Sequence, residues 1–288
     1  MELPVVVGVD GSEPSLRATD WAADEAALRG LPLRVVYASM WERYEGAALA
    51  ADLGVSAEEV RAEDIVGSAA HRARLRHPEL KVLTHITPDE AEHALVDESA
   101  NTSVLVVGTR GRGGIAETLL GSVGMAVAGR ADCPVILVRG DHRDEPWAVH
   151  GRVVVGVGEG AEERVVVGFA AVESRLREVP LEAVRAWRRP AHEPVDHPLL
   201  VGRPGRAHEE RAAAELEAAL AELPAELTVH RCTAEGPARR VLAAASRDAD
   251  LLVVGTRRRA DRYVPHLGRV AHAVLHHSAC PVAVVPHR

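Results

Sequence analysis

The sequence has few aromatic residues, few cysteines and no long apolar run. Aromatic residues make up 3% of its 288 residues, so alanine and valine must fill most core positions, which suits helices packed on a valine-rich parallel sheet. No run approaches the roughly 18 apolar residues that span a bilayer. The N-terminal MELPVVVGVDGS lacks the basic stretch that opens a signal peptide. We therefore expect no membrane association.

The cysteine count and the net charge argue against disulfide bonds, zinc sites and a nucleic-acid partner. Three cysteines with no close pair argue against a disulfide framework or a thiolate zinc site. Cys133 and Cys280 each stand in a Cys-Pro-Val triplet before an apolar run, and we expect both to be buried as small hydrophobes. The net charge of −8 gives no global attraction to nucleic acid. These features predict a protein of the reducing cytoplasm without a nucleic-acid partner.

The chain contains two tandem copies of one domain. The segment VVGTRGRGGIAETLLGSVGMAVAGRADCPVILVR (106–139) aligns without a gap with VVGTRRRADRYVPHLGRVAHAVLHHSACPVAVVP (253–286), and 15 of the 34 positions are identical. Upstream, RVVVGVGEG (152–160) lies over PVVVGVDGS (4–12). The sequence therefore predicts a first domain at 1–140, a linker at 141–151 and a second domain at 152–288.

Strand-like and helix-like runs alternate within each repeat. In the first repeat the pattern predicts strands at 3–9, 33–38, 80–85, 104–107 and 134–138, and helices at 14–29, 57–75, 89–100 and 118–130. Continuous apolar strands joined by amphipathic helices indicate a mostly parallel sheet with helices on both faces. We expect an α/β protein of two tandem, doubly wound domains, each with a five-stranded sheet.

A glycine-rich segment follows the fourth strand of the first repeat and has the spacing Gly-x2-Gly-x9-Gly-Ser. Glycines let backbone N–H groups approach an anion, and the N-terminus of the next helix adds further donors. Arg110 and Arg112 add positive charge, so the segment predicts a phosphate site. The chain contains no Gly-x4-Gly-Lys-Ser/Thr string. A Gly-x-Gly-x-x-Ala string begins at Gly111, but it does not open the first βαβ unit, and we do not interpret it as a dinucleotide motif.

This glycine spacing, with Val-Gly-Val-Asp-Gly-Ser after the first strand and Cys-Pro-Val before the last, resembles the universal stress protein family. The resemblance covers nearly the whole chain and implies the adenine nucleotide alpha hydrolase-like fold and binding of ATP, with Mg²⁺. It implies that Asp10 contacts the nucleoside, that the chain near Ala38 meets the adenine and that the glycines and Ser122 hold the phosphates. The predicted ATP-binding residues are Asp10, Ala38, Gly108, Thr109, Arg110, Gly111, Gly121, Ser122 and Val123.

The second repeat keeps the scaffold of this motif and changes its contacts. Gly158 replaces Asp10, which predicts that no carboxylate is available there. Arg258 replaces Gly111 and Arg269 replaces Ser122, so side chains stand where backbone would meet phosphate. We expect the second repeat to bind no ATP. Family members usually pair through their last strands, so the second repeat would be the structural half of an internal pseudo-dimer. A homodimer of two chains stays an open alternative.

Several residues allow more than one interpretation. Asp10 is suited to capping the following helix as well as to binding a ligand, and the glycine set could serve ordinary turns. The long connection 40–56 is a candidate adenine lid or a variable loop. His266, His272, His276 and His277 have spacing that suits metal binding, but no cysteine or carboxylate completes a set. A solvated helix face is favoured, and we predict no metal site.

The leading hypothesis is an ATP-binding regulatory protein with an unidentified protein partner. The resemblance implies a role in survival under stress such as hypoxia, starvation or dormancy. No general base is recognisable beside the loop, so we predict no catalytic residue. Two alternatives remain open: a slow ATPase or nucleotide-processing enzyme, and an interaction module that binds no nucleotide.

Overall fold

The computed structural model describes residues 3–39, 57–109, 121–139, 150–160, 162–189, 206–257 and 267–287. The chain divides into two compact units. Unit one contains the strands of the first repeat, and unit two contains those of the second. Both are α/β layers in which strands alternate with helices along the chain, as the sequence predicts.

Unit one contains five strands, which are β1 (Val5–Gly8), β2 (Leu33–Ala38), β3 (Val82–Thr87), β4 (Val104–Gly108) and β5 (Val135–Val138). Its helices are α1 (Glu13–Arg29), α2 (Ala57–Arg76), α3 (Ala91–Glu98) and α4 (Ser122–Arg130), with a 3₁₀ turn at Ser99–Asn101. The strand order is β3-β2-β1-β4-β5, and every neighbouring pair is parallel.

Unit two repeats this arrangement with strands β6 (Val153–Gly156), β7 (Leu181–Trp187), β8 (Val229–Glu235), β9 (Leu251–Arg257) and β10 (Val282–His287). Its helices are α5 (Glu163–Leu176), α6 (Arg206–Leu220), α7 (Ala238–Ala245) and α8 (Arg269–His277), with a 3₁₀ turn at Ser246–Asp248. The order β10-β9-β6-β7-β8 is again all parallel.

The valine-rich strands form the core of each unit. Val5, Val6 and Val7 are consecutive in β1 and are all 0% exposed. Because successive side chains of a strand point to opposite faces, both faces of the sheet are covered here. Parallel strands are usually covered on both faces by the helices of their crossovers. The predicted fold class is confirmed.

The largest difference from the predicted elements lies at the start of α4. A helix from 118 to 130 is wrong, because Gly121 has extended backbone (φ −65°, ψ 155°) and is the N-cap, so α4 begins at Ser122. Glycine is a poor residue for a helix interior and is accepted at the cap. The strand predicted at 80–85 lies two residues later, at Val82–Thr87.

Candidate functional site

Three strand ends of unit one meet at one edge of its sheet. In the parallel register, Gly8 of β1 pairs with Val36 of β2 and with Val107 of β4. Asp10, Ala38 and Thr109 each lie two residues beyond this row of paired residues. Since neighbouring strands are about 4.8 Å apart, the three predicted site residues lie at the same edge of the sheet.

This edge also contains the point where the strand order reverses. From β1 the chain builds outward to β2 and β3, and it then returns to place β4 on the other side of β1. Ligands of open α/β sheets bind in the crevice at such a switch point. Asp10 follows β1 and Thr109 follows β4, so both flank this crevice.

Asp10 organises the turn that leads into α1. Its Oδ1 accepts hydrogen bonds from the Ser12 backbone N (2.9 Å) and from the Ser12 hydroxyl. The N-cap of α1 is Ser12, whose hydroxyl accepts from the Ser15 N at 3.4 Å. Gly11 has φ 78°, which is the left-handed region that glycine tolerates. Asp10 therefore supports the cap without being the cap, and its side chain is half-buried beside the crevice.

Gly108 is required by packing at the end of β4. A Cβ on this residue would lie 2.8 Å from the Pro14 carbonyl oxygen and 3.3 Å from the Ser15 N, both of them backbone atoms in the first turn of α1. Rigid backbone cannot move aside as the end of a side chain can. Gly108 is predicted to contact phosphate, and the close approach of α1 is an independent reason for a glycine at this position.

The N-terminus of α4 is held against the end of β4. The Gly121 N donates to the Thr109 carbonyl at 2.8 Å, and the Thr109 N donates to the Val138 carbonyl at 3.0 Å. Ser122, the first helical residue, is exposed, and Val123 is half-buried. The first amides of a helix have no intrahelical acceptor and carry the positive end of the helix dipole. This arrangement is suited to an anion.

The remaining predicted residues of the loop lie outside the described residues. These are Arg110 and Gly111, and the connection 40–56 lies outside them as well. Among the described residues, no group of three or more His, Cys, Asp or Glu side chains could hold a metal ion. Among the described residues, the Asp10 carboxylate lies on one side of the crevice and the N-terminus of α4 lies on the other.

The corresponding edge of unit two does contain a carboxylate, contrary to our expectation. A Cβ on Gly158 would lie 2.5 Å from Glu163 Oε1. The Glu163 side chain, from the first turn of α5, therefore occupies the space that a side chain at position 158 would need. Glu163 is 7% exposed, and its Oε2 has no hydrogen-bond partner within the described structure. The prediction considered only the residue aligned with Asp10 and missed a side chain supplied by the helix.

A second side chain fills the space beside Gly255, which aligns with Gly108. A Cβ on Gly255 would meet His287 Nε2 and Val166 Cγ2, each at 2.9 Å. His287 is 5% exposed. Gly268 keeps the extended N-cap conformation of its counterpart Gly121 (φ −56°, ψ 152°), and Arg269, the counterpart of Ser122, is the first residue of α8. The backbone scaffold of unit two is retained while its own side chains occupy the edge.

Sequence reasoning also missed Arg185, a buried cation of β7. Its Nη1 donates to the Val157 carbonyl at 3.1 Å and its Nη2 donates to Glu215 Oε2 at 2.5 Å, with Glu159 Oε1 at 3.3 Å. Hydrogen bonds from Arg211 and Arg185 lower the pKa of Glu215 below its usual value. The available signal was an arginine inside the otherwise apolar run LEAVRAW.

Cys133 and Cys280 are buried, as predicted, and each is 5% exposed. All three cysteines are free thiols. Burial raises the pKa of the Cys133 thiol to about 12 and that of Cys280 to about 11.

Two further predictions concern the four-histidine group and membrane association. His272 and His276 lie on α8 with ring centroids 4.7 Å apart, and His266 lies outside the described residues. No described helix has both the length and the apolar character that crossing a bilayer requires.

Comparison with known proteins identifies the family. The model of the universal stress protein family matches residues 2–139 and 150–286. The chain therefore belongs to the universal stress protein family, with two tandem matches. A universal stress protein of Mycobacterium tuberculosis is 31% identical over 97% of this chain and 96% of its own length.

A solved structure of similar length agrees with the fold. A universal stress protein from Archaeoglobus fulgidus has a TM-score of 0.68 at 17% identity and covers 98% of both chains. A universal stress protein solved in complex with cAMP is 33% identical, covers 47% of this chain and 96% of its own, and has a TM-score of 0.38.

Proposed function

We propose that unit one binds ATP in the crevice between β1 and β4, and that the protein is a nucleotide-binding regulator of the stress response. The supporting observation is the convergence of the Asp10 carboxylate, the end of β4 and the N-terminus of α4 at the switch point. A carboxylate can accept hydrogen bonds from ribose hydroxyls, and a helix N-terminus attracts phosphate. The two features suit the two ends of one nucleotide.

Each predicted residue has a role in this proposal. Asp10 would accept from the ribose, and the chain at Ala38 would border the adenine. The phosphates would be held by backbone amides and side chains of the β4–α4 segment, namely Gly108, Thr109, Arg110, Gly111, Gly121, Ser122 and Val123. Mg²⁺ would be carried by the phosphates and by water, as this ion keeps much of its hydration shell.

We propose a structural role for unit two, with domains at 1–140 and 152–288 joined by the linker 141–151. Glu163 and His287 fill the space beside Gly158 and Gly255, which supports the expectation that unit two binds no ATP. Unit two would then serve as the pseudo-dimer partner of unit one. Three free thiols support a location in the reducing cytoplasm.

A regulatory role is favoured over turnover because the Asp10 carboxylate is already engaged. Its Oδ1 accepts two hydrogen bonds from Ser12, which favours a positioning role over that of a general base for a hydrolytic water. ATP occupancy would then change how the protein contacts a partner. Incubation with Mg-ATP should release phosphate no faster than a buffer blank, and steady release that Asp10→Ala abolishes would favour the enzyme.

The direct test is to identify small molecules released from the purified protein by mass spectrometry. We expect ATP from the wild type and none from Asp10→Ala or from Ser122→Arg, which introduces the residue of the second repeat. The matched control is Arg269→Ala, the same position in unit two, which should keep full occupancy. ATP retained by Ser122→Arg at wild-type level would show that the site is wrongly assigned. If the wild type does not bind added ATP at all, the alternative function, an interaction module that binds no nucleotide, would be favoured.

A further inference from the structure

Unit two exposes an apolar stripe on α5. Val165 is 55% exposed and Val172 is 37% exposed. Between them lie Gly168, one helical turn after Val165, and Phe169, one turn before Val172, and both of these residues are half-buried. The opposite face of α5 packs on the sheet, where Val166 and Ala170 are 0% exposed. At 100° per residue, Val165 and Val172 lie at the centre of the outward face. Two exposed valines on one stripe form an apolar surface at the centre of this face.

The equivalent face of unit one is polar and already occupied. At the offset of 148 residues, Gly168 and Val172 correspond to Asp20 and Asp24 of α1. Arg72 of α2 binds Asp20 through two hydrogen bonds of 2.6 Å, and Arg76 binds Asp24 in the same way. The apolar stripe is therefore a property of unit two and not of the fold that both units share.

We propose that this surface, the α5 face, binds the α5 face of a second molecule of the same chain. The α5 face consists of six residues, which are Glu162, Val165, Gly168, Phe169, Val172 and Arg175. The two helices are antiparallel and related by a two-fold axis that passes between Gly168 and Phe169. Such an isologous contact is the commonest kind in homo-oligomers.

The residue pattern is self-complementary in this arrangement. An antiparallel pair brings Val165 of one molecule level with Val172 of the other, so the two most exposed apolar side chains cover each other. Gly168 comes level with Phe169 of the second molecule. Because Gly168 has no side chain, the two helices can approach closely at this point. The contact then buries apolar surface that is otherwise exposed to water.

Charge selects the antiparallel direction. Glu162 precedes the first turn of α5 and Arg175 lies in its last turn, and both are exposed. Neither makes an ion pair within the described part of the chain. The antiparallel pair brings Glu162 of one molecule level with Arg175 of the other at both ends. A parallel pair would instead place like charges together and align the helix dipoles unfavourably.

The size of the contact predicts its strength. One helix face buries less than the roughly 800 Å² per partner of a standard interface. Association is therefore weak and depends on protein concentration. Sedimentation equilibrium of the full chain should show a weight-average mass that rises from one chain towards two as concentration increases.

Substitutions on the α5 face test the proposal. Val165→Glu should raise the dissociation constant at least about tenfold, since the contact would bury a charge without a partner. The matched control is Val60→Glu, a valine of α2 that is 47% exposed, which should dimerise like the wild type. Glu162→Arg and Arg175→Glu should each weaken association, and the double variant should restore it. Wild-type association by Val165→Glu, or a mass of one chain at every concentration, would overturn the proposal.

Cross-linking tests the direction of the pair. In a Cys232→Ser background, an oxidised mixture of Val165→Cys and Val172→Cys chains should form a covalent dimer, whereas neither variant should do so alone. Cross-linking of each variant with itself would indicate a parallel pair and contradict the proposal. The nucleotide content of these variants should equal that of the wild type, so this test stands independently of ATP binding.

Discussion

Gly108 ends β4 at a point where the backbone of α1 passes close by. Alanine there would place a Cβ 2.8 Å from the Pro14 carbonyl oxygen. The packing of α1 against the end of β4 therefore requires glycine at position 108, just as a ligand-binding loop would. Loss of ATP in a Gly108 variant would therefore not by itself identify a phosphate contact.

We expect Gly108→Ala to lower the free energy of unfolding by about 1–3 kcal/mol, the usual cost of overpacking. The matched control is Gly67→Ala, because a Cβ on Gly67 of α2 meets nothing within 4 Å. Gly67→Ala should stabilise the protein by up to about 1 kcal/mol through helix propensity. Urea unfolding of both variants measures the difference, and equal effects would contradict the close approach.

Gly158 and Glu163 should be energetically coupled, since a side chain at 158 would compete with the Glu163 carboxylate for one space. We expect Gly158→Ala to cost about 1 kcal/mol in the wild type, less than Gly108→Ala because a carboxylate can shift where backbone cannot, and the cost should be close to zero when Glu163→Ser is already present. The coupling in this double-mutant cycle should therefore be at least about 0.5 kcal/mol. Additive effects would mean that the carboxylate does not occupy that space in solution.

Cys133 makes stability depend on pH in the alkaline range. Burial raises its pKa from the ordinary 9.0 to about 12, so above pH 9 the unfolded chain loses this proton while the native state keeps it. Stability from the protonated thiol is complete below pH 9 and falls as pH rises. Relative to Cys133→Ala, the wild type should lose about 2 kcal/mol between about pH 8 and about pH 10.5. A difference unchanged across this range would show that the thiol is not shielded.

At the scale of elements, paired arginines join α2 to α1. Arg72 and Arg76 each bind an aspartate of α1 through two hydrogen bonds, and hydrogen bonding to Asp20 raises the pKa of Arg72. Asp20 is only 17% exposed in its side chain, whereas Arg72 is 42% exposed. Such a half-buried bidentate pair is worth more than most surface pairs but is still weakened by salt.

We expect Asp20→Asn to destabilise the protein by about 1 kcal/mol in low salt and by clearly less in about 1 M salt. The matched control is Glu210→Gln, which breaks the pair of Glu210 with Arg206 on α6. These side chains are 65% and 74% exposed, so no measurable change is expected. Equal effects of the two variants in denaturant titrations would show that the α1–α2 pairs add nothing beyond surface charge.

At the scale of the whole molecule, the two repeats should differ in ligand stoichiometry. If only unit one binds ATP, calorimetric titration of the nucleotide-free chain should saturate at about one equivalent per chain. Ser122→Arg should bring this value to zero, and Arg269→Ala should leave it at one. Saturation at two equivalents would show that the side chains filling the edge of unit two move aside.

The sequence predicted elements well where a local pattern decides them. The predicted strand at 33–38 coincides with β2, and α2 differs from prediction by one residue at its end. β3 begins two residues later than predicted, because its bounds follow from pairing with β2, up to Ala38 opposite Thr87. The start of α4 was predicted wrongly because the sequence alone does not distinguish a glycine inside a helix from a glycine at its N-cap. The hydrogen bond from the Gly121 N to the Thr109 carbonyl, which holds Gly121 at the cap, depends on the tertiary structure.

The sequence by itself determined the two repeats, the strand–helix alternation and hence the edge that Asp10, Ala38 and Thr109 share. These follow from periodicity and from the fact that parallel strands end on the same side. Only the tertiary structure decided that Pro14 crowds Gly108, that Glu163 takes the space beside Gly158 and that α5 exposes its valines. Each of these depends on the distance between elements that are remote along the chain, and packing of the layers sets that distance.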